Sequence, residues 1–204
     1  MIKYTTRSNF VIKCELWVCG LGFSTFLKHS HRDLALAPSV SAAEKKLTIL
    51  CIGTHPGDPA FGCGGTLARY SDAGHQVIII YLTRGEAGDP SKTFDQSAAL
   101  RTHEADMACK VLKARALFAG QVDAHTELNK QSIETLVKMI LSEKPDVLFT
   151  HWPTDTHQDH QVSGLLGFNA WAKSGQSFQL YFYEVNTGSE TMAFEPTDYV
   201  DIST

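Results

Sequence analysis

Two short segments carry the residues best suited to chemistry. His55-Pro56-Gly57-Asp58 sets an imidazole and a carboxylate three residues apart, and His157-Gln158-Asp159-His160 sets two imidazoles one helical turn apart. Imidazole and carboxylate are donors that a divalent cation of zinc type takes, and three protein donors leave one coordination position open, as in catalytic zinc sites. A cation so held brings water to a pKa of about 7, so hydroxide is available at neutral pH. Two histidines and one carboxylate also satisfy the facial triad of non-haem iron(II) oxygenases, so the donors alone leave hydrolytic and oxidative chemistry open. His29, His31, His75, His103 and His125 stand singly and read as surface or satisfied core residues.

Such residues need a scaffold that brings 55–58 beside 155–160. Leu47–Thr54, Gln76–Thr83, Ala116–Ala119, Asp146–His151 and Leu180–Val185 are apolar runs of strand length without polar alternation. Runs of that kind are strands buried on both faces, in a mostly parallel sheet covered by helices. Helical spacing of apolar residues falls between them, over Thr66–Ala73, Asp95–Lys113, Ser132–Ser142 and Asp159–Ala172. The alternation predicts an α/β fold, a Rossmann-like three-layer sandwich with a mostly parallel sheet. Ligands in such sheets bind beyond the carboxyl ends of the strands. Both candidate segments, together with 84–89 and 121–125, follow a predicted strand.

Gly62-Cys63-Gly64-Gly65-Thr66 stands where a phosphate-binding turn opens a helix, but it lacks the Gly-x-Gly-x-x-Gly spacing and the Lys-Ser/Thr ending. It reads as a turn in which backbone approaches the candidate site closely. No Cys-x-x-Cys pair occurs, and Cys51 and Cys109 read as buried free thiols. Trp152, Trp171, Phe178, Tyr181 and Tyr183 are aromatic candidates for a sugar pocket or for the core.

Six motifs in order sharpen the reading. They are His55-Pro56-x-Asp58, Gly62-Cys63-Gly64-Gly65-Thr66-Leu67-Ala68, Gly74-His75, Leu82-Thr83-Arg84-Gly85-Glu86-Ala87-Gly88, Arg101-x-x-Glu104-Ala105 and Asp155-x-His157-x-Asp159-His160. Over about residues 47–185 the chain resembles the PIG-L/LmbE-like family of zinc-dependent N-deacetylases, which act mainly on N-acetylglucosamine-type groups. The resemblance implies that His55, Asp58 and His160 hold Zn2+ or another divalent metal. It implies that His157, protonated, stabilises a tetrahedral oxyanion and that Asp159 orients it. Arg101 matches a residue near the substrate, and Glu86 lies in a loop that shapes the pocket. The implied partner is a small amino-sugar conjugate.

One departure stands out. The family's usual His-Pro-Asp-Asp-Glu has its general base at the first Asp, where this chain has Gly57, and Pro59 stands at the Glu position. A positioned base contributes about 10²–10⁴-fold. Asp155 is the first candidate to replace it and Glu86 the second. If the base is simply missing, Gly57→Asp is expected to raise the rate. A metal- and sugar-binding relative without turnover is the alternative reading.

The 204 residues are 43% hydrophobic and 20% charged, which excludes a disordered chain and a small disulfide scaffold. A net charge of −4 argues against a general nucleic-acid surface. No run reaches the roughly 18 apolar residues of a membrane span. Residues 1–42 carry five Lys or Arg against Glu15 and Asp33, whereas the rest of the chain is acidic. A basic start, the apolar run Leu16–Leu27 and the small residues Val40-Ser41-Ala42 form the order of a secretory signal, so 1–42 is read as an export leader and 43–204 as the deacetylase-like domain. Relatives continue into a further helix beyond Thr204, so the domain is read as truncated there.

Overall fold

The computed structural model describes residues 8–13, 45–185 and 190–203. The strands are β1 (Ser8–Lys13), β2 (Thr48–Gly53), β3 (Gln76–Tyr81), β4 (Ala114–Phe118), β5 (Val147–His151), β6 (Gln179–Tyr183) and β7 (Asp198–Asp201). The helices are α1 (Asp58–Asp72), α2 (Phe94–Val111), α3 (Lys130–Glu143) and α4 (Gln158–Lys173). The strands form one sheet in the order β4-β3-β2-β5-β6-β1-β7. The first five are parallel, and β1 joins β6 and β7 antiparallel.

Strand alternation divides the core between two faces. Leu50, Ile52, Ile78 and Ile80 pack with Leu136 and Ile140 of α3 and Val162 and Leu166 of α4. Ile49, Cys51, Ile79 and Tyr81 pack with Cys63 and Leu67 of α1 and Ala105 and Cys109 of α2. Both faces of β2 and β3 are therefore apolar, as the uninterrupted runs require. The result is the three-layer α/β sandwich expected from sequence. Cys51, Cys63 and Cys109 are buried free thiols.

Three features depart from the sequence reading. The first helix starts at Asp58 instead of Thr66, and its backbone leaves helical geometry only at Cys63. The glycine cluster thus lies inside α1. A Cβ at Gly62 would collide with the Tyr183 ring and stand 2.8 Å from the Glu184 carbonyl oxygen, so glycine lets α1 press onto the end of β6. Antiparallel β1 and β7 extend the sheet beyond the expected strands. β1 falls within the segment read as a leader; Leu16–Leu27 and residues 40–42 lie outside the described residues. Among the described residues no helix is long and apolar enough to cross a membrane.

Candidate metal centre

The five parallel strands put their carboxyl ends on one edge, where the loops after β2, β3, β4 and β5 meet. After β2 the chain turns tightly: the Asp58 amide donates to the His55 carbonyl at 3.2 Å, and the His55 amide donates to Asp58 Oδ2 at 2.8 Å. Gly57 allows this turn, at φ 120° and ψ −39°, a conformation L side chains rarely adopt. His55 Nδ1 is thereby held 3.3 Å from Asp58 Oδ2. After β5, His157 caps α4, and His160 in the first turn brings Nε2 to 3.4 Å from the same oxygen. The donor atoms of His55, Asp58 and His160 all lie within 4.8 Å of one another. Metal–ligand bonds of about 2.0–2.1 Å around a tetrahedral centre separate neighbouring donors by about 3.3–3.4 Å, so this set fits zinc or a similar cation.

The far nitrogen of each imidazole meets a carboxylate. Asp123 Oδ1 lies 3.0 Å from His55 Nε2, and Asp155 Oδ2 lies 3.0 Å from His160 Nδ1. Carboxylates in that position fix ring orientation and raise ligand basicity. Asp123 is itself anchored, because its Oδ2 accepts from the Ala87 amide at 3.1 Å.

Electrostatics follow the geometry. Burial opposes charge on His55, but hydrogen bonds to Asp123 and Asp58 outweigh it and raise its pKa to about 10. Burial likewise opposes charge on His160, and Asp155 and Asp58 raise it to about 9. Burial would raise Asp58, yet His151, His160 and His55 hold it well below the usual carboxylate range. His151, at the end of β5, is fully buried, and burial pushes it down to about 4. Its Nε2 accepts from the Thr54 amide at 3.0 Å.

The remaining sequence candidates take clear places. Asp155 is buried, with Oδ1 accepting from the His157 amide at 2.8 Å and Oδ2 facing His160. Both oxygens are thus engaged, one by a backbone amide and one by the His160 ring, where an exchangeable base was expected from sequence. Glu86 is buried too: Oε2 accepts from the amides of Arg84 and Asp123 at 3.1 and 3.2 Å, tying the β3 and β4 loops together behind the cleft. Glu86, the second candidate base, is thus held by backbone amides within the loop expected to shape the pocket. The Asp159 carboxylate lies within 4.8 Å of a His157 ring nitrogen, but its hydrogen bonds go elsewhere. It accepts from the Ala124 amide at 2.8 Å and Thr126 Oγ1 at 2.7 Å, while its amide donates to His157 Nδ1 at 3.2 Å. An accepting Nδ1 leaves the Nε2 hydrogen as the donor of the His157 ring. Arg101 donates to the Pro56 carbonyl and to Glu104, which sets its guanidinium over the His55–Asp58 turn.

These residues surround an open cleft of about 570 Å³ lined by His55, Asp58, His157, His160, Asp123 and Arg101 among others. Trp171, Phe178 and Tyr183 are core residues, and Tyr181 and Trp152 pack against the core. Among the described residues, the phenyl ring that lines the cleft is that of Phe61, which lies in the stretch not expected to be helical. Asp123, His151 and Phe61 are the site residues missed from sequence. The one available signal for Asp123 was its place in a loop after a strand.

The family described as PIG-L, GlcNAc-PI de-N-acetylase, matches residues 50–171. Diacetylchitobiose deacetylase of Thermococcus kodakarensis is 29% identical over 133 residues, covering 62% of this chain and 50% of the relative. The uncharacterized deacetylase YaiS of Escherichia coli is 30% identical over 128 residues, covering 59% of this chain and 66% of the relative. The solved N,N'-diacetylchitobiose deacetylase of Pyrococcus horikoshii is similar with a TM-score of 0.60 and 30% identity, over 62% of this chain and 50% of that one. The chain thus spans about half the length of the diacetylchitobiose deacetylases it matches.

Proposed function

The chain belongs to the PIG-L family, and on that premise we propose that it is a metal-dependent hydrolase that removes the acetyl group from N-acetylglucosamine-type conjugates. One observation carries the reading: two carboxylate-backed imidazoles converge on Asp58 at the floor of an open cleft. His55, Asp58 and His160 would hold the cation, with zinc the first choice for the donor set. Bound there, a divalent cation polarises an amide carbonyl and acidifies water, which matters where Gly57 offers no carboxylate to take a proton.

The chain's own groups do the rest. Asp123 and Asp155 keep the two imidazoles turned inward. His157 presents an N–H at the cleft, suited to an oxygen that gains negative charge during attack on the acetyl carbon. Arg101, at the cleft wall, has three of its five N–H donors beyond those used on Pro56 and Glu104, and these suit substrate hydroxyls.

The experiment is acetate release by zinc-loaded protein from a panel of N-acetyl amino sugars, including N,N'-diacetylchitobiose. Release from at least one member is expected; loaded protein inert across the panel contradicts the activity. Gly57 favours a second reading, a metal- and sugar-binding protein without turnover, which binding of the same sugars without acetate release would select.

The charge and apolar pattern of residues 1–42 supports export as a further part of the proposal. N-terminal sequencing of protein from the native host tests it, with a start near Ala43 expected and a start at Met1 excluding it. Cleavage there would remove β1 from between β6 and β7.

A further inference from the structure

We propose that Cys51 and Cys63 form a disulfide bond when the chain folds in an oxidising environment, and that this bond fastens α1, the helix that Asp58 opens, to the central strand β2. The bond forms whatever the cleft binds.

Cys51 lies in β2 and Cys63 in α1, 12 positions apart, with their Sγ atoms 3.6 Å from each other. The sulfurs are already in contact, and a bond of about 2.0 Å asks for a further approach of roughly 1.5 Å, shared between two short side chains. Cys63 is also the residue at which the α1 backbone leaves helical geometry, at φ −141° and ψ 17°. The irregular point of the helix thus falls where it meets β2. One side chain holds the two elements in register beside the pair: the Tyr183 hydroxyl donates to the Ile52 carbonyl at 2.8 Å, and its ring lies against Gly62. Cys109, on α2, has another neighbour, with its Sγ 3.9 Å from the Tyr81 hydroxyl.

Burial sets when the bond forms. Cys51 and Cys63 have no exposed surface in the folded chain, and burial and the Cys63 contact push the Cys51 thiol up. A thiolate is the species that exchanges, so the pair reacts while the chain is folding, before the core closes. The oxidant is a small disulfide of the glutathione class. One cysteine thiolate attacks it and expels a thiolate, and the second cysteine attacks the mixed disulfide and expels the other. The two protein thiols lose two electrons and two protons, and the reagent leaves as two thiols. Export, as proposed above, would bring the chain to such an oxidant. The closed span restricts the unfolded chain, so the bond stabilises the folded one.

The test refolds the full chain from denaturant with mixed reduced and oxidised glutathione, or with reduced glutathione alone. Free thiols are then alkylated and linked peptides are identified by mass spectrometry. The expected product joins Cys51 to Cys63, two hydrogen atoms lighter than the reduced pair, and melts about 5–10 °C above the reduced protein. Cys63→Ala should lose that gain, and Cys109→Ala should keep both the link and the gain. Cys51 and Cys63 both alkylated after oxidative refolding, either one joined to another cysteine, or a link without a gain in melting temperature overturns the proposal. Should Cys63→Ala fail to fold, the wild-type peptide map and melting curves decide alone.

Discussion

Asp155 grips His160 through Nδ1 at 3.0 Å and leaves Nε2 to face Asp58 at 3.4 Å. Asp123 does the same for His55 from the other side, taking Nε2 so that Nδ1 faces Asp58. Two imidazoles, each held from behind by a carboxylate, thus face one carboxylate oxygen, and the order β4-β3-β2-β5 brings together the loops that carry them.

Removing either grip should weaken metal binding without unfolding the chain. Asp123→Asn and Asp155→Asn are each expected to lower zinc affinity about 10–100-fold. Competition with a chromogenic chelator measures this, with melting curves as the check on folding. Wild-type affinity in both variants would show that the carboxylates are mere neighbours.

Metal uptake should release protons. His55 at about 10 and His160 at about 9 are protonated at neutral pH in the metal-free protein, and a cation takes only their neutral forms. Affinity should therefore rise with pH up to about 9–10. Both folded values lie above the ordinary histidine value, so their contribution to metal-free stability is full below about 6.5 and fades as pH rises through 9 to 10. The gap in melting temperature between loaded and metal-free protein should widen over that window. Calorimetry in buffers of different ionisation enthalpy counts the protons; none released at pH 7 would contradict the charge states.

Gly57→Asp should fail as a repair. The space is adequate, since a Cβ there meets nothing closer than 3.6 Å, but φ 120° strains any L side chain. The expected cost is about 1–3 kcal/mol. Acetate release should not rise, contrary to the expectation from motif comparison alone. A variant that melts like wild type and turns over faster would restore the missing-base account.

Gly62→Ala tests the seat of α1. Its Cβ collides with the Tyr183 ring and a backbone carbonyl, so the helix must move or the ring must yield, at about 1–3 kcal/mol. Because Asp58 opens the same helix, zinc affinity should fall along with melting temperature. Unchanged values for both would mean that α1 is free to shift.

The core strands were legible because their chemistry is local. β2 and β3 are buried on both faces, and an unbroken run such as Leu50 to Ile52 states that directly. The start of α1 was hidden by its glycines, of which Gly62 serves contact with Tyr183, a residue 121 positions on. His55, Asp58 and His160 stood out through spacing, whereas Asp123 has no motif of its own and gains its role only where the β4 loop reaches His55. Asp155 was singled out from its place two residues before His157, but its contacts with the His157 amide and the His160 ring depend on how the folded chain turns there.

The most direct test of the central claim is a zinc-soaked crystal with anomalous scattering at the zinc edge. The account predicts one strong peak at about 2.0–2.2 Å from His55 Nδ1, an Asp58 carboxylate oxygen and His160 Nε2. A peak centred instead among His151, Asp155 and His160, or no peak in the cleft, would contradict it.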